Sequence, residues 1–225
     1  MQAEPQKIWT IGSLVKWATD DFRSRGIESP RLDAEVLVAY ALGIDRTRVI
    51  IEAMRPLEPA ELALLRDLVK RRRSREPIAY LRGEREFYGR TFRVDSRVLI
   101  PRPDTETLVD VALARTQHVS LSMRQLDLCT GSGCVAITMA RQRPTSKVLA
   151  IDVSADALAV ARDNAYRLGA YNVAFLESDL FANVPPEARF DVITANPPYI
   201  ASAEIDGLMA DVKDFEPRLA LDGGP

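Results

Sequence analysis

The sequence predicts an α/β chain in which a small helical bundle and a β-hairpin precede a parallel sheet. Three observations predict it. Residues 1–75 carry apolar stripes at helical spacing and no strand pattern, two short β-prone runs flank a glycine between residues 76 and 103, and strand-like and helix-like segments alternate from residue 124 onward. Strict alternation calls for right-handed crossovers and a sheet with helices on both faces. A length of 225 residues holds one full domain plus a small one, and 47% hydrophobic with 28% charged residues is the composition of a folded chain, which excludes intrinsic disorder.

Taken in order, Leu14, Trp17, Ala18 and Phe22 recur at helical spacing and stop before Gly26, a residue favoured just past a helix end. Ser29-Pro30 opens a second helix whose stripe of Leu32, Val36, Leu37, Tyr40 and Ala41 ends at Gly43. Asp45 caps a short third helix through Val49 and Ile50, and Glu58-Pro59 opens a fourth carrying Leu62, Leu65, Leu68 and Val69. Phe87-Tyr88 and Thr91-Phe92-Arg93-Val94 then read as two strands around a Gly89-Arg90 turn, a hairpin linker over residues 76–103. Each proline in Ile100-Pro101-Arg102-Pro103 keeps its predecessor extended, and Asp104 is placed to cap a helix through Leu108, Val111 and Ala112. The third segment, 104–225, holds strands at 125–128, 148–152, 173–176 and 190–194, with helices at 135–141 and 155–168 between them.

Several function classes drop out. No apolar run approaches the ~18 residues of a membrane span, and the Met1 end lacks a basic-then-apolar leader, so a cytoplasmic protein is expected. Cys129 and Cys134 are too few and too close for a disulfide framework. His118 is the single histidine, which leaves a zinc site almost without ligands and counts against a catalytic triad, so no metal is expected; His118 reads as a surface residue after a helix, or as one lone base. The net charge is −2, yet twelve cations between Arg66 and Arg102 face five acids, a local +7. Such a run is either a solvated helix face or a surface for an acidic partner or phosphate backbone.

Ligands of a parallel sheet bind beyond the carboxyl ends of its strands, where strand order reverses. Three sites fall at strand ends. Cys129, Thr130, Gly131, Ser132 and Gly133 form a glycine-rich turn before a helix, able to bring backbone N–H groups close to a ligand; the pattern also fits a dinucleotide-binding enzyme. Asp152, 19 residues past Gly133, can accept ribose hydroxyls, or it can cap the next helix unless Ser154 does so. Asp179 can receive an adenine amine and Leu180 can cover the ring. The fourth strand ends in Asn196-Pro197-Pro198-Tyr199. Its chemistry suits a planar amide or amine: the Asn196 side-chain oxygen and the Pro197 carbonyl accept two N–H groups, the prolines stiffen the loop, and Tyr199 offers a flat packing face.

The glycine turn, Asp152 and Asn196-Pro197-Pro198-Tyr199 together resemble the S-adenosylmethionine-dependent amino methyltransferases. Glu76-Pro77-Ile78-Ala79-Tyr80-Leu81-Arg82-Gly83, Phe87-Tyr88-Gly89, the stretch Val98 to Glu106, and Phe215-Glu216-Pro217 with Ala220-Leu221 are similar to the HemK/PrmC family, the glutamine N5-methyltransferases of peptide chain release factors. The resemblance implies a helical substrate-docking domain (1–75), a hairpin linker (76–103) and a class I, Rossmann-like methyltransferase domain (104–225). It implies methylation of the glutamine in the Gly-Gly-Gln loop of class I release factors, which modulates translation termination; no membrane contact and only indirect contact with nucleic acid are expected, and the oligomeric state stays open, with a monomer favoured.

Carried over by position, Cys129 to Gly133 would wrap the methionine part of S-adenosylmethionine, Asp152 the ribose, and Asp179 with Leu180 the adenine. Asn196, also at the cofactor, would hold the glutamine with Pro197, Pro198 and Tyr199; Asn196, Pro197 and Tyr199 would act in catalysis. Cys129 stands where many members have glycine and is expected to avoid positive φ, and Leu180 stands at an often aromatic position. A nucleic-acid adenine amino methyltransferase makes the same hydrogen-bond demands and is the alternative. The family sheet has more strands than the four read here, so C-terminal strands are expected to be missing and the fourth strand to be left an open edge.

Overall fold

A computed structural model describes residues 8–119 and 122–225, and its contacts divide into two units, Met1–Arg82 and Gly83–Pro225. The first unit is helical. α1 (Ile11–Ser24) starts at a capping box in which the Ser13 N–H donates to Thr10 Oγ1 and the Thr10 N–H to Ser13 Oγ. α2 (Pro30–Leu42) ends at Gly43, whose φ of 63° closes the last turn. Asp45 caps α3 (Arg46–Ile51) through the Arg48 N–H at 2.8 Å, α4 runs over Pro59–Arg73, and a short α5 (Ile78–Arg82) lies inside the expected linker. Phe22, Leu37, Leu65 and Leu68 are fully buried; of the expected α2 stripe Leu37 faces the core, whereas Leu32 and Tyr40 are exposed and Ala34 and Val38 are buried in their place.

Three arginines of the basic run, Arg71, Arg72 and Arg73, are spent on ion pairs within this unit. Arg72 Nε donates to Asp33 Oδ2 at 2.8 Å with both side chains buried, Arg73 grips Asp21 at 2.7 Å, and Arg71 grips Glu76 at 2.8 Å. These guanidiniums tie α4 to α1 and α2, and removing one partner of a buried pair strands the other charge at a cost of about 3–5 kcal/mol.

In the second unit, β1 (Glu84–Phe87) and β2 (Arg90–Arg93) form the hairpin. Its turn is Tyr88-Gly89 and not Gly89-Arg90: both residues have positive φ, 51° and 68°, as a two-residue turn matched to strand twist requires. Glu106 and Asp110 secure the strained tyrosine, accepting from its N–H at 2.8 Å and its hydroxyl at 2.7 Å. Phe87 and Phe92 are buried with Val109 and Val135, so the hairpin belongs to the core of this unit and is no free linker.

α6 (Thr105–Arg115) follows, without a side-chain cap from Asp104, and His118 is exposed beyond it. The main sheet comprises β3 (Arg124–Leu128), β4 (Lys147–Asp152), β5 (Val173–Glu177) and β6 (Val192–Ala195), all parallel, in the order β5-β4-β3-β6. α7 (Cys134–Gln142) and α8 (Ala155–Arg167) join strands that step in one direction, so right-handed crossovers put both on one face, beside α6. The expected helices on both faces are absent: among the described residues, Leu126, Leu128 and Ile151 on the opposite face meet Val184 and Phe190 of the β5–β6 connection. That return crossover carries no helix. The outer edge of β6 pairs with no strand among the described residues. A short pair beyond it, β7 (Ile200–Ala201) with β8 (Asp222–Gly224), has no strand signal in the sequence.

Candidate active site

Strand order reverses between β3 and β6, and a cleft of about 330 Å³ opens beyond their carboxyl ends. Its size is within the ~300–1,000 Å³ of small-ligand sites. Cys129, Thr130, Gly131 and Ser132 line it, as do Asp152, Asp179 and Leu180, and across from them Asn196, Pro197 and Pro198. Gly133 and Tyr199 are not among its lining residues: Gly133 packs under the turn, where a Cβ would stand 2.7 Å from Ile137 Cδ1, and Tyr199 is exposed.

The glycine turn is tightly determined. The Thr130 N–H donates to the Ile151 carbonyl at 2.9 Å, the Gly133 N–H to the Thr130 carbonyl at 2.8 Å, and the Gly131 N–H to Asp152 Oδ2 at 2.8 Å. Asp152 Oδ1 accepts from the Ser154 N–H at 3.0 Å, while Ser154 itself caps α8 by accepting from the Ala157 N–H. Asp152 is thus a staple between turn and strand, with further lone pairs facing the cleft for hydroxyl donors. Cys129 departs from the expectation and adopts φ of 56°, and Leu180 adopts 46°. Two of the four non-glycine residues with positive φ among those described therefore line one cleft, the placement of backbone strain typical of functional sites.

Beneath the turn lies a carboxylate, Asp127, at the start of the glycine-rich segment, to which the sequence alone assigns no role. Asp127 is buried on β3, where its oxygens accept from Thr130 Oγ1 at 2.6 Å and Thr194 Oγ1 at 2.7 Å, joining the turn to β6 two residues before Asn196. Burial pushes its pKa up to about 6 against these hydrogen bonds. Burial, together with the Asp152, Asp127 and Asp179 carboxylates, pushes the Cys129 thiol up to about 11; burial first, and then Asp127, pushes Cys134 to about 12. Both are protonated near neutrality and unsuited to nucleophilic work. The signal that could have found Asp127 is its place, two residues before the turn on a buried strand.

Across the cleft the Asn196 side chain makes no hydrogen bond with any described residue. The wall beside it is formed by two segments that sequence reasoning used for the resemblance and assigned no role: 97–102, with Val98, Leu99 and Pro101, and 217–223, with Pro217, Leu219 and Ala220.

A Rossmann-like sheet with a glycine turn, an acidic second strand end and an Asn-Pro-Pro-Tyr loop across the switch point defines an S-adenosylmethionine-dependent methyltransferase. Residues 13–83 match the PrmC N-terminal domain family and residues 105–212 the methyltransferase small domain family. The release factor glutamine methyltransferase of Geobacter sulfurreducens is 43% identical over 98% of this chain and 76% of its own length. That of Rhodopirellula baltica is 44% identical over 96% of this chain and 75% of its own. A crystal structure of ribosomal protein L11 methylase from Lactobacillus delbrueckii subsp. bulgaricus aligns over 56% of this chain and 63% of its own at 25% identity, with a TM-score of 0.39. The chain belongs to the release factor glutamine methyltransferase family. Among the described residues no helix is long and apolar enough to cross a membrane.

Proposed function

We propose that this chain transfers a methyl group from S-adenosylmethionine to the side-chain amide nitrogen of the glutamine in the Gly-Gly-Gln loop of release factors. The carrying observation is the unengaged Asn196 amide beside Pro197, set across one cleft from the glycine turn. The residues present fit the cofactor: close backbone at Gly131, an Asp152 carboxylate with lone pairs left over, and a buried Ser132 hydroxyl that lacks a partner. Cys129 to Gly133 would hold its methionine part, Asp152 its ribose, and Asp179 with Leu180 its adenine. Bound there, it supplies a methyl carbon made electrophilic by a sulfonium.

The chain supplies position. A glutamine amide nitrogen is a weak nucleophile because its lone pair is delocalised into the carbonyl. Asn196 Oδ1 and the Pro197 carbonyl accept its two N–H groups, which fixes the amide plane, exposes the lone pair perpendicular to it and favours pyramidal nitrogen. Pro198 stiffens the loop and Tyr199 packs against the incoming peptide. The proton released from nitrogen passes to water: no histidine lines the cleft, and both thiols are already protonated.

Docking of the release factor is the task of the helical unit. Arg71, Arg72 and Arg73 are committed to internal ion pairs, so exposed Arg66 and Lys70, which form no ion pair among the described residues, carry the basic contact. Mass spectrometry of release factor after incubation with enzyme and cofactor tests the function: one added methyl on the Gly-Gly-Gln glutamine is expected, and an unmodified glutamine, or methyl found on DNA instead, rejects it.

A further inference from the structure

The acceptor loop has no support in the main sheet, because β6 ends before it. Its backing comes from residues 216–223, a strap pinned at both ends. At one end Glu216 is 5% exposed, and its carboxylate accepts from Arg102 Nη2 at 2.6 Å and from the Ile100 N–H at 3.1 Å. A carboxylate this buried is held in place by what it bonds, and both of its oxygens are spent on segment 100–102. At the other end Gly223 lies against the loop itself: a Cβ there would meet the Pro198 carbonyl oxygen at 2.9 Å and Tyr199 Cα at 3.0 Å. Between them buried Leu221 accepts from the Ile200 N–H at 3.1 Å, and Asp222 pairs with Ile200 in register.

We propose that Glu216 is a positioning residue for methyl transfer: by clamping the strap to Ile100 and Arg102, it sets where the Asn196-Pro197-Pro198-Tyr199 loop presents its acceptors to the substrate amide. This rests on the proposed function and deepens it. The clamp joins the two wall segments, 97–102 and 217–223, and neither contains the glycine turn or Asp152. Its loss therefore shifts the acceptor side and spares the cofactor side. A shift of about 1 Å in a reacting group costs on the order of 100-fold in rate.

The test compares E216Q with the wild-type chain, using release factor as substrate and calorimetry for S-adenosylmethionine binding. Glutamine keeps the size and an acceptor for the Ile100 N–H but turns an amide N–H₂ toward the Arg102 guanidinium. The expected result is a 10- to 100-fold fall in kcat with cofactor Kd within twofold. R102M should give the same split, and the double variant should be no slower than the slower single one, because both substitutions remove the Arg102–Glu216 bond. An unchanged kcat, or cofactor affinity that falls as far as kcat, overturns the positioning role. Should E216Q not fold, R102M decides, because it removes the same bond from the more exposed partner: the same split is expected, and its absence overturns the proposal. Failure of the wild-type chain to methylate release factor rejects the function itself, an outcome separate from any difference between wild type and variant.

Discussion

The two walls of the cleft are built on opposite terms. On the wall of the glycine turn most hydrogen bonds are already made: Asp152 accepts from the Gly131 and Ser154 N–H groups, Thr130 donates to Asp127, and the Leu180 carbonyl, at a strained residue, accepts from the Ser178 hydroxyl. On the wall of Asn196-Pro197-Pro198-Tyr199 they are open: the Asn196 amide has no partner among the described residues, Tyr199 is 77% exposed, and the support comes from a strap bonded at a distance. A wall that binds a small cofactor can be finished in advance. A wall that binds a glutamine on another protein keeps polar groups unpaired until that protein supplies the partners, and pairing then favours the right substrate, because one without matching donors leaves buried acceptors unsatisfied.

The sharpest way to break this contrast is Asn196→Ala. The open wall loses a side-chain acceptor that no neighbour can replace, so kcat is expected to fall about 1,000-fold, on the order of 4 kcal/mol in the barrier. Cofactor affinity should stay within a few-fold, read by calorimetry. Near-normal turnover in single-turnover assays would remove Asn196 from the mechanism, and parallel loss of cofactor binding would mean that the two walls are not separable.

Much of the wall around the glycine turn was legible in the sequence as a strand-end cluster because it is local. The turn, its strand and its helix occupy adjacent residues, and Asp152 stands at a fixed step beyond them, so spacing alone could place them. What was not legible depends on contacts between distant residues. Glu216 meets Ile100 and Arg102 more than 110 positions away, and Gly223 meets Pro198, pairings that no periodicity encodes. The arginine run left its two readings open for the same reason: the partners of Arg73 and Arg72, Asp21 and Asp33, sit on α1 and α2, so these arginines brace the unit while Arg66 and Lys70 stay exposed. Charge counting sees residues and not their pairings. The one-sided helix layer was hidden too, since alternation of elements does not reveal strand order, and strand order decides the face on which each crossover lies.

A second variant probes the group that joins the walls. Asp127 has its carboxyl pushed from 3.8 to about 6 in the folded chain, chiefly by burial. The sign follows directly: the folded state holds the proton more tightly than the unfolded one, so this group's favourable contribution is complete below about pH 4 and is lost as pH rises through 6. Above that, ionised Asp127 costs about 3 kcal/mol, from a shift near two units at 1.36 kcal/mol each. Asp127→Asn keeps a donor and an acceptor for the Thr130 and Thr194 hydroxyls. It should be more stable than wild type at pH 7.5 by up to that amount and indistinguishable near pH 4, by urea unfolding at each pH. A constant difference across the range would show that Asp127 does not titrate there.

On the closed wall the expected effect is smaller, because several groups share the cofactor. In Asp152→Asn the amide can accept from the Gly131 or the Ser154 N–H but not from both, and one acceptor for the ribose is lost. Cofactor Kd should rise about 10- to 50-fold, corresponding to one or two hydrogen bonds to a charged group. At saturating cofactor, kcat for release factor should recover to within a few-fold of wild type, the reverse of the Asn196→Ala pattern. A kcat that stays low at saturation would show that Asp152 also fixes the acceptor side.

The smallest effect lies behind the cleft, where Gln125 precedes Asp127 by two residues and so points to the same face of β3. It is fully buried, and neither its Oε1 nor its Nε2 has a hydrogen-bond partner, in contrast to Asp127, whose two oxygens are both engaged. An unmet buried amide costs about 1–3 kcal/mol, and Leu in its place adds apolar contact with the cluster on that face without asking for partners. Gln125→Leu is expected to raise stability by about 1 kcal/mol in urea unfolding. It should leave kcat and cofactor Kd unchanged, because Gln125 does not line the cleft. Destabilisation would mean that an internal water bonds the amide, and that the polar floor beneath the glycine turn extends one residue pair deeper than Asp127.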